Sequence, residues 1–553
     1  MNDQKIKIAW MLLLVMNVFL IKSEEIPIKI TKKYLNLPVS MNVERAVMTF
    51  TVDGHVERRF EIRLAVTDPD YWVFCDVSAL MGKTLTIQYP GNKQGLSLIY
   101  EDDRIAGQDS MYREKNRPQF HFTTRRGWIN DPNGLIFYEG EYHLFYQHNP
   151  YEYEWGNMHW GHAMSRDLIH WEELPIALYP DQHGTMFSGS AVIDYDNTSG
   201  FGKGNIPAMV AIYTADNPQK QIQCIAYSLD KGRTWTKHEQ NPVIDSKEKW
   251  NSNDTRDPKV FWYQPGKHWV MALNERDGHS IYTSPNLKDW TYQSHTTGFW
   301  ECPELFELQV DGNPENTKWV MYGASGTYMI GSFDGKKFTP ESGKHYFSTG
   351  TAYAAQTFTN IPQQDGRRIQ IAWGRVSHSE MPFKGMMLLP VELTLRTTKN
   401  GIRMFSYPIK EVERLYSNEA TWTQITARVA NEHLSQYNEV DGLYIRTTFK
   451  LSHATNAGLS LYGQRLIDYD MNFNLVNGVF YSPEDMTSME ITADIYIDRT
   501  TIEIFIDDGA YAYSFERRTV TDNKEGFQFW GNNIEIKNLQ VYRINSIWEI
   551  TKQ

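Results

Sequence analysis

Cysteine is almost absent from this chain: three residues, Cys75, Cys224 and Cys302, among 553. So sparse and odd a set is no disulfide framework, and there is no CxxC pair or His/Cys cluster to hold zinc. Packing must hold the fold, and no metal or cofactor is expected. Positive charge is also in short supply, with 55 Lys and Arg against 67 Asp and Glu for a net charge of −12. That balance argues against a nucleic-acid or anionic-membrane partner, either of which calls for a basic face. Long apolar runs are missing as well. The one extended run, "WMLLLVMNVFLI", follows Lys5 and Lys7, precedes Ser23, and is too short to span a bilayer comfortably. Residues 1–23 therefore read as an export signal, with an uncleaved signal anchor as the competing reading. Export implies a secreted or periplasmic protein with no membrane span once the signal is removed. No cysteine lies near this segment to carry a lipid.

What the chain has in quantity is aromatics, at 14% of residues with 17 Trp and 32 Tyr. These suit a β-rich protein, either filling a large core or lining clefts that stack on sugar rings. Residues 24–110 alternate in short runs such as "AVMTFTVDG", "RRFEIRLAV" and "YWVFCDVSA", which predict a small N-terminal β domain. The polar segment "EDDRIAGQDSMYREKNRPQFH" reads as a linker. Over 111–410, strand-like runs recur without a sustained helical period. A weak repeat runs through them: "SRDLIHW", "SLDKGRTW", "SPNLKDW" and "SFDGKKF" each join a Ser to an aromatic through a polar turn, ending at Trp171, Trp235, Trp290 and Phe338. Several short strands per such unit are the mark of a β-propeller, with about five blades and seven smaller ones as the alternative. Residues 411–553 alternate again and predict a β-sandwich with a supporting role.

A propeller brings its inner strands together at one funnel, so the search is for carboxylates in unusual settings on successive blades. Asp131 lies in "WINDPNG", a strong turn signal beside Trp128. Asp257 follows Arg256 in "NDTRDPKVFWY", where the guanidinium would keep the carboxylate ionised. Glu301 lies between Trp300 and Cys302, an apolar setting that would favour the protonated acid. Taken singly, Asp257 reads more readily as a strand cap and Glu301 as a paired buried acid. As a set, the three suit glycoside hydrolysis: a nucleophile, an acid for the leaving oxygen, and an ionised group supporting an oxocarbenium-like transition state.

"WINDPNG" (128–134), "FSGS" (187–190), "RDP" (256–258) and "ECPEL" (301–305) resemble, in order and spacing, the motifs of glycoside hydrolase family 32, the invertases, inulinases and levanases. "YIDRTTIEIFIDDG" (496–509) is similar to the sandwich-domain signature of that family, and Ile129 stands where Met is frequent. The resemblance covers about 118–547. It implies an all-β chain: a five-bladed propeller, then a β-sandwich, with the N-terminal β domain as an addition. It also implies a retaining hydrolase of β-fructofuranosidic bonds in levan, inulin or sucrose, with Asp131 as nucleophile, Glu301 as acid/base and Asp257 as transition-state stabiliser. Retention would put the Asp131 and Glu301 carboxyls about 5 Å apart. The implied substrate contacts are Trp128, Asn130, Gln147, Trp155, Phe187, Ser188, Arg256, Tyr353 and Trp373, of which Trp155 and Trp373 are equally readable as packed core. A fructosyltransferase on the same scaffold and a non-catalytic fructan-binding propeller are the alternatives. Nothing in the sequence specifies an oligomeric state.

Overall fold

The computed structural model describes residues 24–90, 93–378, 380–451, 456–470, 472–473, 475–480, 490–518, 525–532 and 534–548. The expected export signal lies outside them. Among the described residues no helix is long and apolar enough to cross a membrane. The chain divides into two compact units, Met1–Asp109 and Ser110–Gln553.

The first unit holds two antiparallel sheets, one of four strands (Glu24–Lys29, Thr84–Tyr89, Ala46–Val52, His55–Ile62) and one of three (Tyr71–Asp76, Tyr34–Val39, Tyr100–Asp102). Alternate residues such as Met48, Phe50, Leu85 and Ile87 are buried, as strand periodicity requires.

In the second unit, residues 127–408 form five consecutive four-stranded blades. Each starts at its innermost strand: Gly127–Tyr138, Thr185–Asp194, Thr255–Tyr263, Glu304–Val310 and Ala352–Thr357. Side chains tie these inner strands around an axis. Gln356 accepts from Leu135 N (3.0 Å) and donates to Gly189 O (3.0 Å), and Ser190 Oγ donates to Pro258 O (2.8 Å). The sequence repeat is the hairpin between the third and fourth strands of blades one to four. Its indoles are held alike: Trp171, Trp235 and Trp290 each donate from Nε1 to the carbonyl three residues earlier (3.0–3.1 Å). Blade five, with strands Ala352–Thr357, Arg368–Gly374, Val391–Thr398 and Gly401–Pro408, lacks the motif.

Beyond the blades, a seven-stranded and a five-stranded sheet enclose a core of Leu443, Ile445, Ile495, Ile504, Phe527 and Val541. The segment expected to be a linker is largely built into the structure. Tyr100–Asp102 is a strand, and Arg117 is fully buried, with its guanidinium on Thr123 Oγ1, Thr124 O and Glu114. His121 then enters a clamp made by the sandwich signature. Its Nδ1 lies 2.8 Å from Asp498 Oδ2 and its Nε2 2.7 Å from Glu503 Oε1, all three groups being buried.

Burial pulls the His121 pKa down, but the two carboxylate hydrogen bonds outweigh it and push it up to about 9. A folded-state value above the unfolded one means the imidazolium's contribution is complete below about pH 6.5 and fades as pH rises through about 9. His121→Ala strands two buried acids and is expected to cost about 3–5 kcal/mol. Thermal melts should show a large drop in Tm at pH 6 and a smaller one at pH 10. An equal drop at both would mean that the clamp carries no charge.

Candidate active site

Asn, Asp, Pro and Gly favour turns, yet "NDPNG" is not one here. It lies within the 12-residue strand Gly127–Tyr138, where Pro132 pairs with Tyr146 and Asn133 with Phe145. The irregularity the sequence signalled is a β-bulge: the register slips between Ile129 and Pro132, at Asn130 and Asp131. The same device recurs around the axis. Inner-strand registers slip between Met186 and Gly189, between Arg256 and Lys259, and between Tyr353 and Gln356, at Phe187–Ser188, Asp257–Pro258 and Ala354–Ala355. A bulge adds a residue, kinks the strand and re-aims its side chains. Asp257 (φ 66°), Glu301 (φ 52°), Cys302 (φ 42°) and Ala354 (φ 51°) all adopt left-handed backbone, a strained conformation for side-chain-bearing residues. Gly134 (φ 53°) admits nothing larger, since an added Cβ would stand 2.8 Å from the Phe145 ring.

These distortions gather the three carboxyls at one funnel. Asp131 accepts from Ser188 Oγ (2.7 Å) and Asn130 Nδ2 (3.0 Å), while Trp128 Nε1 donates to Asn130 Oδ1 (2.7 Å). Asp257 Oδ2 accepts from Cys302 N (3.0 Å), and the Cys302 thiol lies 3.5 Å from Asp131 Oδ2 and 3.6 Å from Asp257 Oδ2. Glu301 receives Arg256 Nη2 on one oxygen (2.7 Å) and the Tyr353 hydroxyl on the other (2.6 Å).

Two electrostatic expectations are corrected. Arg256 reaches Asp257 only at long range: its Nε is 3.9 Å from that carboxyl, and its short bonds go to Glu301 and Asp254. Burial therefore dominates at Asp257. With Asp131 and Glu301 adding to it and Arg256 opposing, burial pushes the carboxyl up to about 7. Glu301, in turn, has a polar setting in place of an apolar one, and Trp300 is 41% exposed with the Arg256 guanidinium over its ring at 5.1 Å. Burial also raises Asp131, opposed by the Ser188 and Asn130 hydrogen bonds. Burial and the three acids hold the Cys302 thiol well above the usual range, which keeps it protonated and removes it as a nucleophile.

The remaining expected residues divide between wall and frame. Trp128, Trp373 and Tyr353 form a contiguous aromatic wall, with ring centroids 5.7 Å and 6.3 Å apart. Among the described residues the Trp373 indole N–H is buried without a hydrogen-bond partner. Trp155 is 53% exposed and edge-on to Phe187, so it stands at the rim and is not core. Gln147 donates to Met186 O (2.9 Å), which makes it part of the frame.

Two framing residues were missed by the sequence reading, and they share a rule with Gln147. Thr214 Oγ1 accepts from Asp257 N (2.9 Å) and Asn274 Oδ1 from Glu301 N (2.8 Å). In each case a polar side chain near the end of one blade's second strand buckles onto the distorted backbone of the next blade. The available signal was faint: a polar residue closing the apolar runs "AMVAIYTADN" and "HWVMALNE".

Such an assembly of three coupled carboxyls, an aromatic wall and a guanidinium suits recognition and cleavage of a sugar. Residues 121–408 match the model described as the glycosyl hydrolases family 32 N-terminal domain. The chain is 38% identical over 515 residues to a levanase of Bacillus subtilis, covering 82% of this chain and 74% of that protein. It is 34% identical over 479 residues to an extracellular exo-inulinase of Aspergillus niger, covering 71% of this chain and 88% of that one. The crystal structure of an exo-inulinase from Aspergillus awamori superposes with a TM-score of 0.68 at 28% identity, over 79% of this chain and 100% of that one. The chain belongs to glycosyl hydrolase family 32.

Proposed function

We propose that this chain is an exported, retaining β-fructofuranosidase that removes fructosyl units from levan or inulin and also cleaves sucrose. The observation that carries the reading is the convergence of Asp131, Asp257 and Glu301, from three blades, on the Cys302 thiol and the Arg256–Glu301–Tyr353 chain. Asp131, held on both oxygens by Asn130 and Ser188, attacks the anomeric carbon. Glu301, fixed between Arg256 and Tyr353, protonates the departing oxygen and later deprotonates the water that frees fructose. Asp257 accepts from sugar hydroxyls and, ionised, supports the positive charge that builds on the ring.

Levan, inulin and sucrose, incubated separately and followed by product length and early anomeric configuration, test this reading. Fructose released first, in the β configuration, is the expected product. Initial α-fructose would exclude a double displacement, and mainly longer oligosaccharides from sucrose would make the chain a transferase.

A further inference from the structure

The inner strands carry the catalytic groups at one end, and their other ends are not idle. Six residues beyond Ser188, Asp257 and Glu301 stand Asp194, Tyr263 and Glu307, all lining a second cavity of ≈ 710 Å³. At about 3.3 Å per residue that is roughly 20 Å along the axis. A polar layer intervenes. Lys259 Nζ reaches Glu304 Oε1 (2.7 Å) and Thr357 O (2.7 Å), and Thr357 Oγ1 donates to Glu304 Oε2 (2.6 Å). Lys259 of this layer lines the second cavity, and Asp131, Asp257 and Glu301 are not among its lining residues.

Aromatic rings make one side of the far chamber. Phe261, Trp319 and Phe333 form its wall, with centroids 5.7 Å and 4.8 Å apart. Tyr195, 63% exposed, stands at its rim beside Asn360, whose Nδ2 donates to the Tyr195 hydroxyl (3.1 Å). Arg368 lies among them, stacked on Phe306 with 5.0 Å between the guanidinium carbon and the ring centroid. Among the described residues its Nε is buried without a hydrogen-bond partner. A buried N–H left without an acceptor is costly, and this one belongs to a guanidinium whose remaining donors reach the chamber.

We propose that this far mouth of the propeller axis is a second, non-catalytic saccharide site. Rings accept the apolar C–H faces of a sugar, while Arg368 and the Asp196 and Glu307 carboxylates, both at the lining, meet its hydroxyls. An anion is the poorer occupant, because Asp194, Asp196 and Glu307 face the same space and Lys259 is already neutralised by Glu304. The occupant is a fructosyl stretch of the polymer, an identification that rests on the proposed function. A polymer chain held there raises the local concentration of ends at the catalytic mouth.

Full-length protein carrying Asp131→Asn, titrated with a fructo-oligosaccharide of about five units, is expected to bind two molecules. Arg368→Met and Tyr195→Ala, each added singly, should abolish one event and leave the other. In the otherwise native chain, Tyr195→Ala should leave sucrose turnover unchanged and slow dilute soluble polymer by about threefold or more. A one-to-one stoichiometry that Tyr195→Ala does not alter overturns the proposal. So does binding of inorganic sulfate that depends on Arg368 without a matching saccharide event. Failure of the function reading is separable, because it appears as absent sucrose and polymer hydrolysis in the native chain.

Discussion

Asp131→Asn is expected to lower kcat by about 10⁴-fold or more, the scale on which removing a covalent nucleophile acts. The substitution keeps size and hydrogen-bonding shape: the Asn oxygen can still accept from Ser188 or Asn130, so the bulged strand has no reason to move. It also removes a buried charge that its surroundings disfavour, so stability should not fall. Loss of activity with an unchanged melt would then isolate chemistry from folding. Rescue separates the roles. With Asp131→Gly, azide should restore turnover of a fructoside bearing a good leaving group and give fructosyl azide of inverted configuration. With Glu301→Gly, it should give the retained configuration, because the glycosyl intermediate on Asp131 still forms. If the two variants yield the same azide anomer, the assignment of nucleophile and acid is wrong.

How much of this was legible in the sequence depends on whether a feature is local. The four Ser-to-aromatic hairpins could be read because each places an indole over its own turn, within three residues. The three carboxyls could be read because each sits in a locally odd context. That the oddity at "NDPNG" was a bulge and not a turn could not be read. Turn propensities are weak against cross-strand pairing with Tyr146 and Phe145, which the sequence places more than ten residues away. Adjacency misled at Arg256 and Asp257 for a related reason. The strand is bulged at Asp257, so the guanidinium is turned to make its short bond with Glu301, 45 residues on, and stays 3.9 Å from its neighbour. The His121–Asp498 clamp closes over 377 residues, so although Asp498 lies in a recognisable stretch, nothing local to it points to His121.

Asp257→Asn should separate stability from function more sharply than any other change. Activity is expected to fall by about 10³-fold, because an amide cannot supply the negative charge that answers an oxocarbenium-like ring. Stability should rise, and the pH dependence fixes the sign. Burial raises Asp257 to about 7 in the folded chain, against an ordinary value of 3.8. Between those values the folded state holds a proton that the unfolded state has released, so stability falls as pH increases across that window. Above it the full penalty is present, on the order of 1.4 kcal/mol for each pH unit that separates the two values. The amide carries no such penalty. Paired melts should therefore coincide near pH 4 and diverge by pH 8, with the variant several degrees more stable. A variant less stable than the native chain at pH 8 would mean that Arg256 and the Cys302 amide already compensate the charge, leaving no strain at this site for the sugar to relieve. If the penalty stands, sugar hydroxyls donating to Asp257 should stabilise its carboxylate and draw its pKa down on binding. Substrate would then both occupy the funnel and ionise the group that the transition state needs.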